Sequence, residues 1–423
     1  MSEILDLEKV KTNLENINEN LKKLIAGEVL DNCTLEDTKL QIRSIRNACS
    51  QGTQAQNFLI EQEETIAYMQ MIVSKDLQAK DLIELSWQFV ANLTVQNEKS
   101  QKFVWDHLGE TLTDDIRIHP IDNNTDKKLM IIYNICRGGL VECSEKFALT
   151  LLADIWHRIV EEQSNEELVF VDLFFEYFLV TNQWTLRLYA TISAQNRIDI
   201  LKYITTYIRN DSPNGPIRTI LMEYISKEFK KKADCILRNS GDMENSLHPQ
   251  EVYNLLSVIS CATGSELYYN IYARDDALFL SAGALLQSIV ALGKKEPNQF
   301  TPMTKLEEVA PGSNIDTSFE LEISFELKTL LVRTIGNLLC TNRHNQQHCI
   351  DTKLLPALLE CTNMDARNPL IKEWSILAIR NACYDCPEIQ HMISELTEAG
   401  QAPNQLLTEL NIEMGALRIQ PKE

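Results

Sequence analysis

Glycine and proline are scarce in this chain, 14 and 12 among 423 residues, and aromatic residues make up only 7%. A sheet-rich fold with many tight turns uses more of all three, so the composition favours helix. No unbroken run of eighteen apolar residues occurs. The most apolar stretch, LVFVDLFFEYFLV at 168–180, is too short to span a bilayer and carries Asp172 and Glu176, so it reads as a buried helix and no membrane insertion is expected. The opening residues MSEILDLEKV lack the basic start and apolar centre of a signal peptide. Basic residues are outnumbered 40 to 60, a net charge of −20, which argues against nucleic acid as the main ligand. The one dense basic run, KEFKKK at 227–232, reads as a solvated helix face. Eleven cysteines at irregular spacing suit free thiols in a cytoplasmic protein. There is no G-x-S-x-G, phosphate loop, H-E-x-x-H or dinucleotide-binding glycine pattern. The expectation is a non-enzyme with no catalytic residue, no metal and no cofactor.

What the chain does have is repetition. The string IRNAC occurs at 45–49 and again at 379–383. Around it lies a wider pattern, an Asn nine residues before a Gln: Asn47 and Gln56, Asn92 and Gln101, Asn337 and Gln346, Asn381 and Gln390. Three residues after each Gln the position is apolar (Leu59, Val104, Cys349, Ile393), and a looser copy surrounds Asn134. The steps 47 to 92, 92 to 134 and 337 to 381 are 45, 42 and 44 residues. Before each Asn the apolar residues fall at helical spacing, as Ile371, Trp374, Leu377 and Ala378 do; after it come a short loop and a new apolar segment. Helix, Asn, loop and helix at a period of about 42–45 residues predict an all-α armadillo/HEAT-like α-solenoid. The amide of each Asn can tie a helix end to the neighbouring repeat. Alternatively Asn47, Asn92, Asn134, Asn337 and Asn381 line a concave groove and grip the backbone of an extended peptide.

The expected organisation is a capping N-terminal helix at 1–30, repeats over 31–292, a mobile loop at 293–318 (three prolines and little periodicity), C-terminal repeats over 319–415 and a tail at 416–423. Leu7, Val10, Leu14, Ile17, Leu21 and Leu24 run at coiled-coil spacing for under three heptads, which fits a cap and leaves self-association open. Glu166, Glu167, Asp172 and Glu176 lie in a stretch, 160–186, with no Lys or Arg. They form a candidate acidic surface for basic partner segments, the alternative being that they only keep the chain soluble.

The stretch 325–390 resembles the C-terminal domain of the ataxin-10 family. The resemblance rests on Asn368-Pro369, Glu373-Trp374, Ala378-Ile379-Arg380-Asn381 and the upstream Arg333 to Leu338. It departs at Cys383, Cys386 and Ile389, which touch loop detail. The resemblance implies a cytoplasmic, non-enzymatic scaffold of a family associated with neuron survival, neurite outgrowth and cytokinesis. It implies as partners O-linked N-acetylglucosamine transferase and a heterotrimeric G-protein β subunit. In residue terms, Asn368 reads as an N-cap with Pro369 as the first helical residue, Glu373 sits in the first turn, and Trp374 reads as core between the last two repeats.

Two sharper patterns point to a metal only weakly. Cys340, His344, His348 and Cys349 have metal-like spacing, but Cys349 falls on an inward position; Cys383 and Cys386 form a lone C-x-x-C. A nuclear-import adaptor reading basic peptides is the competing function. Such adaptors place a Trp four residues before each groove Asn, where this chain has Arg43, Gln88, Met130, Arg333 and Leu377.

Overall fold

The structure, a computed structural model, describes residues 6–73, 77, 79–118, 121–138, 168–177, 180, 189–190, 192–213, 215–237, 247–295, 298–303, 326–402 and 416–421. The chain divides into two units, Met1–Ile192 and Ser193–Glu423. Each is a stack of helical pairs, the α-solenoid that the period predicts.

In the first unit the helices are α1 (Leu7–Ile25), α2 (Asn32–Cys49), α3 (Thr53–Ile60), α4 (Glu63–Ile72), α5 (Lys80–Leu93), α6 (Glu98–Ile118), α7 (Asn123–Arg137) and α8 (Val169–Glu176). Helices α1, α2, α5, α7 and α8 pack in sequence as a ladder, with α3, α4 and α6 in a second layer. Helix α1 starts at Asp6, whose carboxylate accepts the Lys9 N–H, and it buries Val10, Leu14, Ile17 and Leu21. These four face α2 and α4, so most of the coiled-coil-like seam is spent within the chain.

The second unit contains α9 (Ala194–Arg209), α10 (Thr219–Lys232), α11 (Leu247–Thr263), α12 (Tyr269–Tyr272), α13 (Asp276–Gly293), α14 (Leu327–Leu339), α15 (Arg343–Asp351), α16 (Leu355–Glu360), α17 (Ile371–Cys383) and α18 (Pro387–Ser394). Its ladder is α9, α11, α14 and α17. Helix α13 is long and apolar enough by composition to cross a membrane, with a mean hydropathy of 1.6. Here it is a core helix: it buries Leu278, Phe279, Ala282, Leu285, Leu286 and Ile289, and it packs on α14, α15 and α16.

The reversals after α5, α14 and α17 share one backbone solution. Gln96, Thr341 and Asp385, each four residues after its Asn, adopt left-handed φ of 52°, 51° and 49°. A non-glycine residue there is strained, and after Gln96 and Thr341 the following side chain compensates by capping the next helix, whereas Cys386 after Asp385 makes no such cap. Asn97 Oδ1 accepts from Lys99 N at 3.1 Å and caps α6; Asn342 Oδ1 accepts from Asn345 N at 3.1 Å and caps α15.

Four expectations change. Asn368 does not cap its own helix: α17 begins at Ile371 from a left-handed Leu370 (φ 59°) with no side-chain cap. Instead Asn368 Oδ1 accepts from Lys328 N at 2.9 Å and Thr329 N at 3.4 Å, capping α14 in the preceding repeat. The left-handed Leu370 turns the chain before α17, and that leaves Asn368 lying over α14. The basic run at 227–232 is not wholly solvated: Lys230 pairs with Asp275, and Lys232 with Glu228 and Glu251. Residues 298–303, placed in the expected loop, are pinned. Arg367 donates to Gln299 O at 2.7 Å, Met303 N donates to Asp365 at 3.1 Å, and Phe300 and Met303 are buried; 304–318 lie outside the described residues. Finally, Leu396–Ala402 pairs antiparallel with Ala416–Pro421 as β1 and β2, a ribbon appended to the helices. Leu417 and Ile419 alternate with Arg418 and Gln420, a period of two that suits a strand.

Candidate functional site

Every Asn of the predicted row sits near the end of a ladder helix, and four reach backwards to the ladder helix before. Asn381 Nδ2 donates to Gly336 O at 2.9 Å. Asn92 Nδ2 lies 3.4 Å from Arg46 O, and Asn134 Nδ2 3.4 Å from Ala91 O and 3.1 Å from Thr94 Oγ1. The accepting carbonyl is each time the one preceding the previous repeat's Asn. Asn337 donates to Thr263 Oγ1 at 3.2 Å on α11, where the equivalent Asn is absent. Asn47, in the first repeat, instead accepts from the neighbouring Arg46 guanidinium at 3.0 and 3.2 Å.

The Gln nine residues later reaches forwards. Gln56 Nε2 donates to Asn92 O and Val95 O at 2.9 and 3.1 Å; Gln346 Nε2 donates to Asn381 O and Tyr384 O at 3.1 and 2.8 Å. The two sets are the same geometry in different units. Gln101 and Gln390 turn back on Thr94 O and Cys383 O in their own repeats. Carbonyls freed at a helix C-terminus are thus satisfied by the neighbouring repeat's amide. The nine-residue spacing is the distance from one such end to the start of the next helix.

Beside this stitching, the ladder helices leave a second row open. Of the thirteen residues of α14, ten are buried; the three accessible ones are Thr329, Arg333 and Asn337, at spacings of four. The matching positions on α17 are Glu373, Leu377 and Asn381, also accessible. The two helices approach closely at Gly336, where a Cβ would lie 3.0 Å from Ala378 Cβ. Between the rows the Arg333 guanidinium lies over the Trp374 ring at 5.0 Å, a cation–π contact. Arg333 Nε is enclosed and has no hydrogen-bond partner. Trp374 is half-buried at this seam rather than in the core, and Arg380 is exposed. At the ends of α17, Leu370 and Tyr384 are 64% and 60% exposed. In the first unit the corresponding rows are Lys39, Arg43 and Asn47, then Glu84, Gln88 and Asn92, then Asp126, Met130 and Asn134, all at least partly accessible. Arg46 crosses to Gln88 at 2.6 Å.

Of the candidate acidic surface, Asp172 is exposed on α8 and Glu176 half-buried, while Glu166 and Glu167 lie outside the described residues. Phe170 packs edge-on against Tyr133 at 5.9 Å, and its N–H donates to Asp126 at 2.7 Å.

Among the described residues the cysteines do not assemble into a ligand set. The ten among the described residues are free thiols. Burial pushes the Cys349 thiol up to about 12, and burial likewise raises Cys383. Cys340 is exposed, and its carbonyl accepts from Tyr269 Oη at 2.8 Å. His344 and His348 face Asp276 of α13, a residue that sequence spacing did not single out.

Stacked helical pairs joined by reciprocal amide bonds define an armadillo-type solenoid. A family model described as "Spinocerebellar ataxia type 10 protein domain" matches residues 327–418. Ataxin-10 of Bos taurus is 23% identical over 388 residues, 88% of this chain and 78% of that protein. Ataxin-10 of Homo sapiens is 24% identical over 389 residues, with the same coverage. The ataxin-10 homolog of Dictyostelium discoideum is 41% identical over 88 residues, 21% of this chain and 14% of that one. The chain is therefore homologous to ataxin-10 over most of its length. Among solved structures, a chain from "A conserved phosphorylation switch controls the interaction between cadherin and beta-catenin in vitro and in vivo" superposes with a TM-score of 0.33 at 10% identity. It covers 89% of this chain and 63% of that one. A designed armadillo repeat protein gives 0.20 at 10% identity, covering 86% and 99%. At these scores the fold assignment rests on the repeat geometry itself. Homology and fold together support a protein-interaction role rather than a catalytic one.

Proposed function

We propose that this chain is a member of the ataxin-10 family and a non-enzymatic scaffold that holds an extended segment of a partner protein against its ladder helices. The observation that carries the reading is α14, closed to solvent except at Thr329, Arg333 and Asn337. A helix buried on three sides that keeps a row of polar residues open offers hydrogen-bonding groups at one-turn intervals. An extended chain laid across α14 and α17 meets Arg333, Trp374 and Leu377 as side-chain contacts, and Asn337 and Asn381 as amides. Aromatic and Arg side chains of this kind are those that dominate interface energies. The nuclear-import adaptor is the weaker reading, because the position four before each Asn holds no Trp.

On this reading the family's association with cytokinesis, neurite outgrowth and neuron survival extends to this chain. So do a cytoplasmic location and partners such as O-linked N-acetylglucosamine transferase and a G-protein β subunit. The test is affinity capture with the intact chain, wild type against Arg333→Ala and Trp374→Ala. Loss of a captured partner, with the helical far-UV signal retained, supports the groove; equal capture by both variants contradicts it.

A further inference from the structure

One cluster on the second-layer side of the second unit is unconnected with the ladder face. Asp276 is the first residue of α13, and His344 and His348 lie one turn apart on α15. His344 Nε2 is 2.9 Å from Asp276 Oδ2, and His348 Nε2 is 4.0 Å from the same oxygen. The two imidazoles stand 4.5 Å apart between centroids at 70°, and one donor atom from each of the three residues lies within 4.8 Å of the others.

A hydrogen bond to Asp276 accounts for His344 and leaves His348 unexplained. His348 Nε2 is enclosed and has no hydrogen-bond partner, and 4.0 Å is too long for one. The ring is held where it is by Phe279, stacked at 6.5 Å and 27°. A nitrogen kept from both solvent and a partner, facing a carboxylate across a gap, fits ligands grouped round a cation. Zinc binds imidazole nitrogen and carboxylate oxygen at about 2.0–2.2 Å, so two ligands of a tetrahedral ion sit roughly 3.3 Å apart. The observed 2.9 and 4.0 Å bracket that separation. Histidines four apart on one helix face are a spacing that zinc sites use.

We propose that Asp276, His344 and His348 form a binding site for a divalent transition-metal ion of the zinc type. Two imidazoles and one carboxylate select a borderline ion of this class over magnesium or calcium, which take oxygen ligands. Three protein ligands leave at least one position for water or for a group from a partner. Access is open, since the His344 side chain is 64% exposed and that of Asp276 45%. The geometry is preset from both ends of α15. Asn342 Nδ2 donates to Ala273 O at 2.8 Å just before α13, and Gln287 Nε2 donates to Thr352 O and Lys353 O at 2.9 and 3.1 Å. A bound ion cross-links the start of α13 to α15 and so braces consecutive helical pairs. Cys340 and Cys349, the other members of the sequence pattern, take no part.

The test uses the full chain, stripped with a chelator that is then removed, and titrated calorimetrically with Zn2+. One equivalent is expected to bind, and Asp276→Asn, His344→Ala and His348→Ala are each expected to weaken binding about tenfold or more. Cys340→Ser is expected to leave it unchanged. His344 is exposed, so its variant separates loss of the site from loss of the fold. Zn2+ is expected to raise the thermal midpoint of the wild type and not that of His344→Ala. Co2+ is expected to give visible d–d bands without thiolate charge transfer. No stoichiometric binding, binding indifferent to His344→Ala and Asp276→Asn, or a thiolate charge-transfer band would each overturn the proposal.

Discussion

Asn381 donates its side-chain N–H to the carbonyl of Gly336 at 2.9 Å, the residue immediately before the previous repeat's Asn337. One repeat's Asn therefore reads the helix end of its predecessor. Replacing Asn381 with Ala removes the donor and leaves a carbonyl at the seam of α14 and α17 underserved. The expected cost is about 1 kcal/mol in urea unfolding. An unchanged midpoint would show that the ladder contributes nothing to stability and would shift the Asn row towards ligand binding.

The approach of α14 to α17 sets a second expectation. A Cβ at Gly336 lies 3.0 Å from Ala378 Cβ and 3.2 Å from Ala378 Cα, so Gly336→Val must separate the helices. Overpacking of this kind costs about 1–3 kcal/mol. Paired with Asn381→Ala in a double-mutant cycle, it is expected to be non-additive, because both changes act on one hydrogen bond. Simple additivity would argue that the bond and the close contact are independent.

Asn368 provides a test of cross-repeat capping. Its Oδ1 accepts from Lys328 N, and its Nδ2 donates to Asp365 at 2.9 Å. Asn368→Ala is expected to cost about 1–2 kcal/mol and to speed amide exchange at Lys328 and Thr329 rather than within α17. Asn368→Asp keeps the cap acceptor but sets a second carboxylate against Asp365, so it is expected to destabilise as well. A neutral Asp variant would mean that the contact with Asp365 contributes nothing, and faster exchange confined to α17 in the Ala variant would contradict cross-repeat capping.

Glu251 carries a pH expectation. It is fully buried, and burial opposes its charge. Hydrogen bonds from Arg197 at 2.9 and 3.1 Å and Lys232 at 2.6 Å nevertheless hold its carboxyl below the ordinary 4.5. A carboxyl lowered in the folded state adds stability above its unfolded value and loses it as pH falls through the folded one. Unfolding midpoints are expected to drop below about pH 4.5, and Glu251→Gln to flatten that fall. At neutral pH the variant takes a buried carboxylate from Arg197 and Lys232, of which Lys232 keeps Glu228, and it is expected to cost about 3 kcal/mol. An unaltered pH slope would remove Glu251 from the account.

The repeats were readable because each needs the same polar atoms at the same two places: an amide at a helix end and another nine residues on. Where those residues are replaced, as on α11, the sequence lost the signal and the fold did not. There Thr263 Oγ1 takes the hydrogen bond from Asn337, and packing carries the rest. Local rules misplaced Asn368, because Asn-Pro before a helix looks like that helix's own cap. Only the left-handed Leu370 redirects it. Asp276 was invisible for a different reason: it lies 68 residues from His344, and no spacing rule spans two repeats. The basic run reads as solvated in sequence because two of its counterions lie elsewhere, Asp275 just before α13 and Glu251 on α11.

The scaffold reading is tested most directly by asking which face a partner touches. A photoreactive residue placed at Leu377, on the open row of α17, is compared with one at Lys353, exposed at the end of α15. The account predicts that a captured partner crosslinks from position 377 and not from 353. Crosslinking from 353 alone, or equally from both, would contradict it.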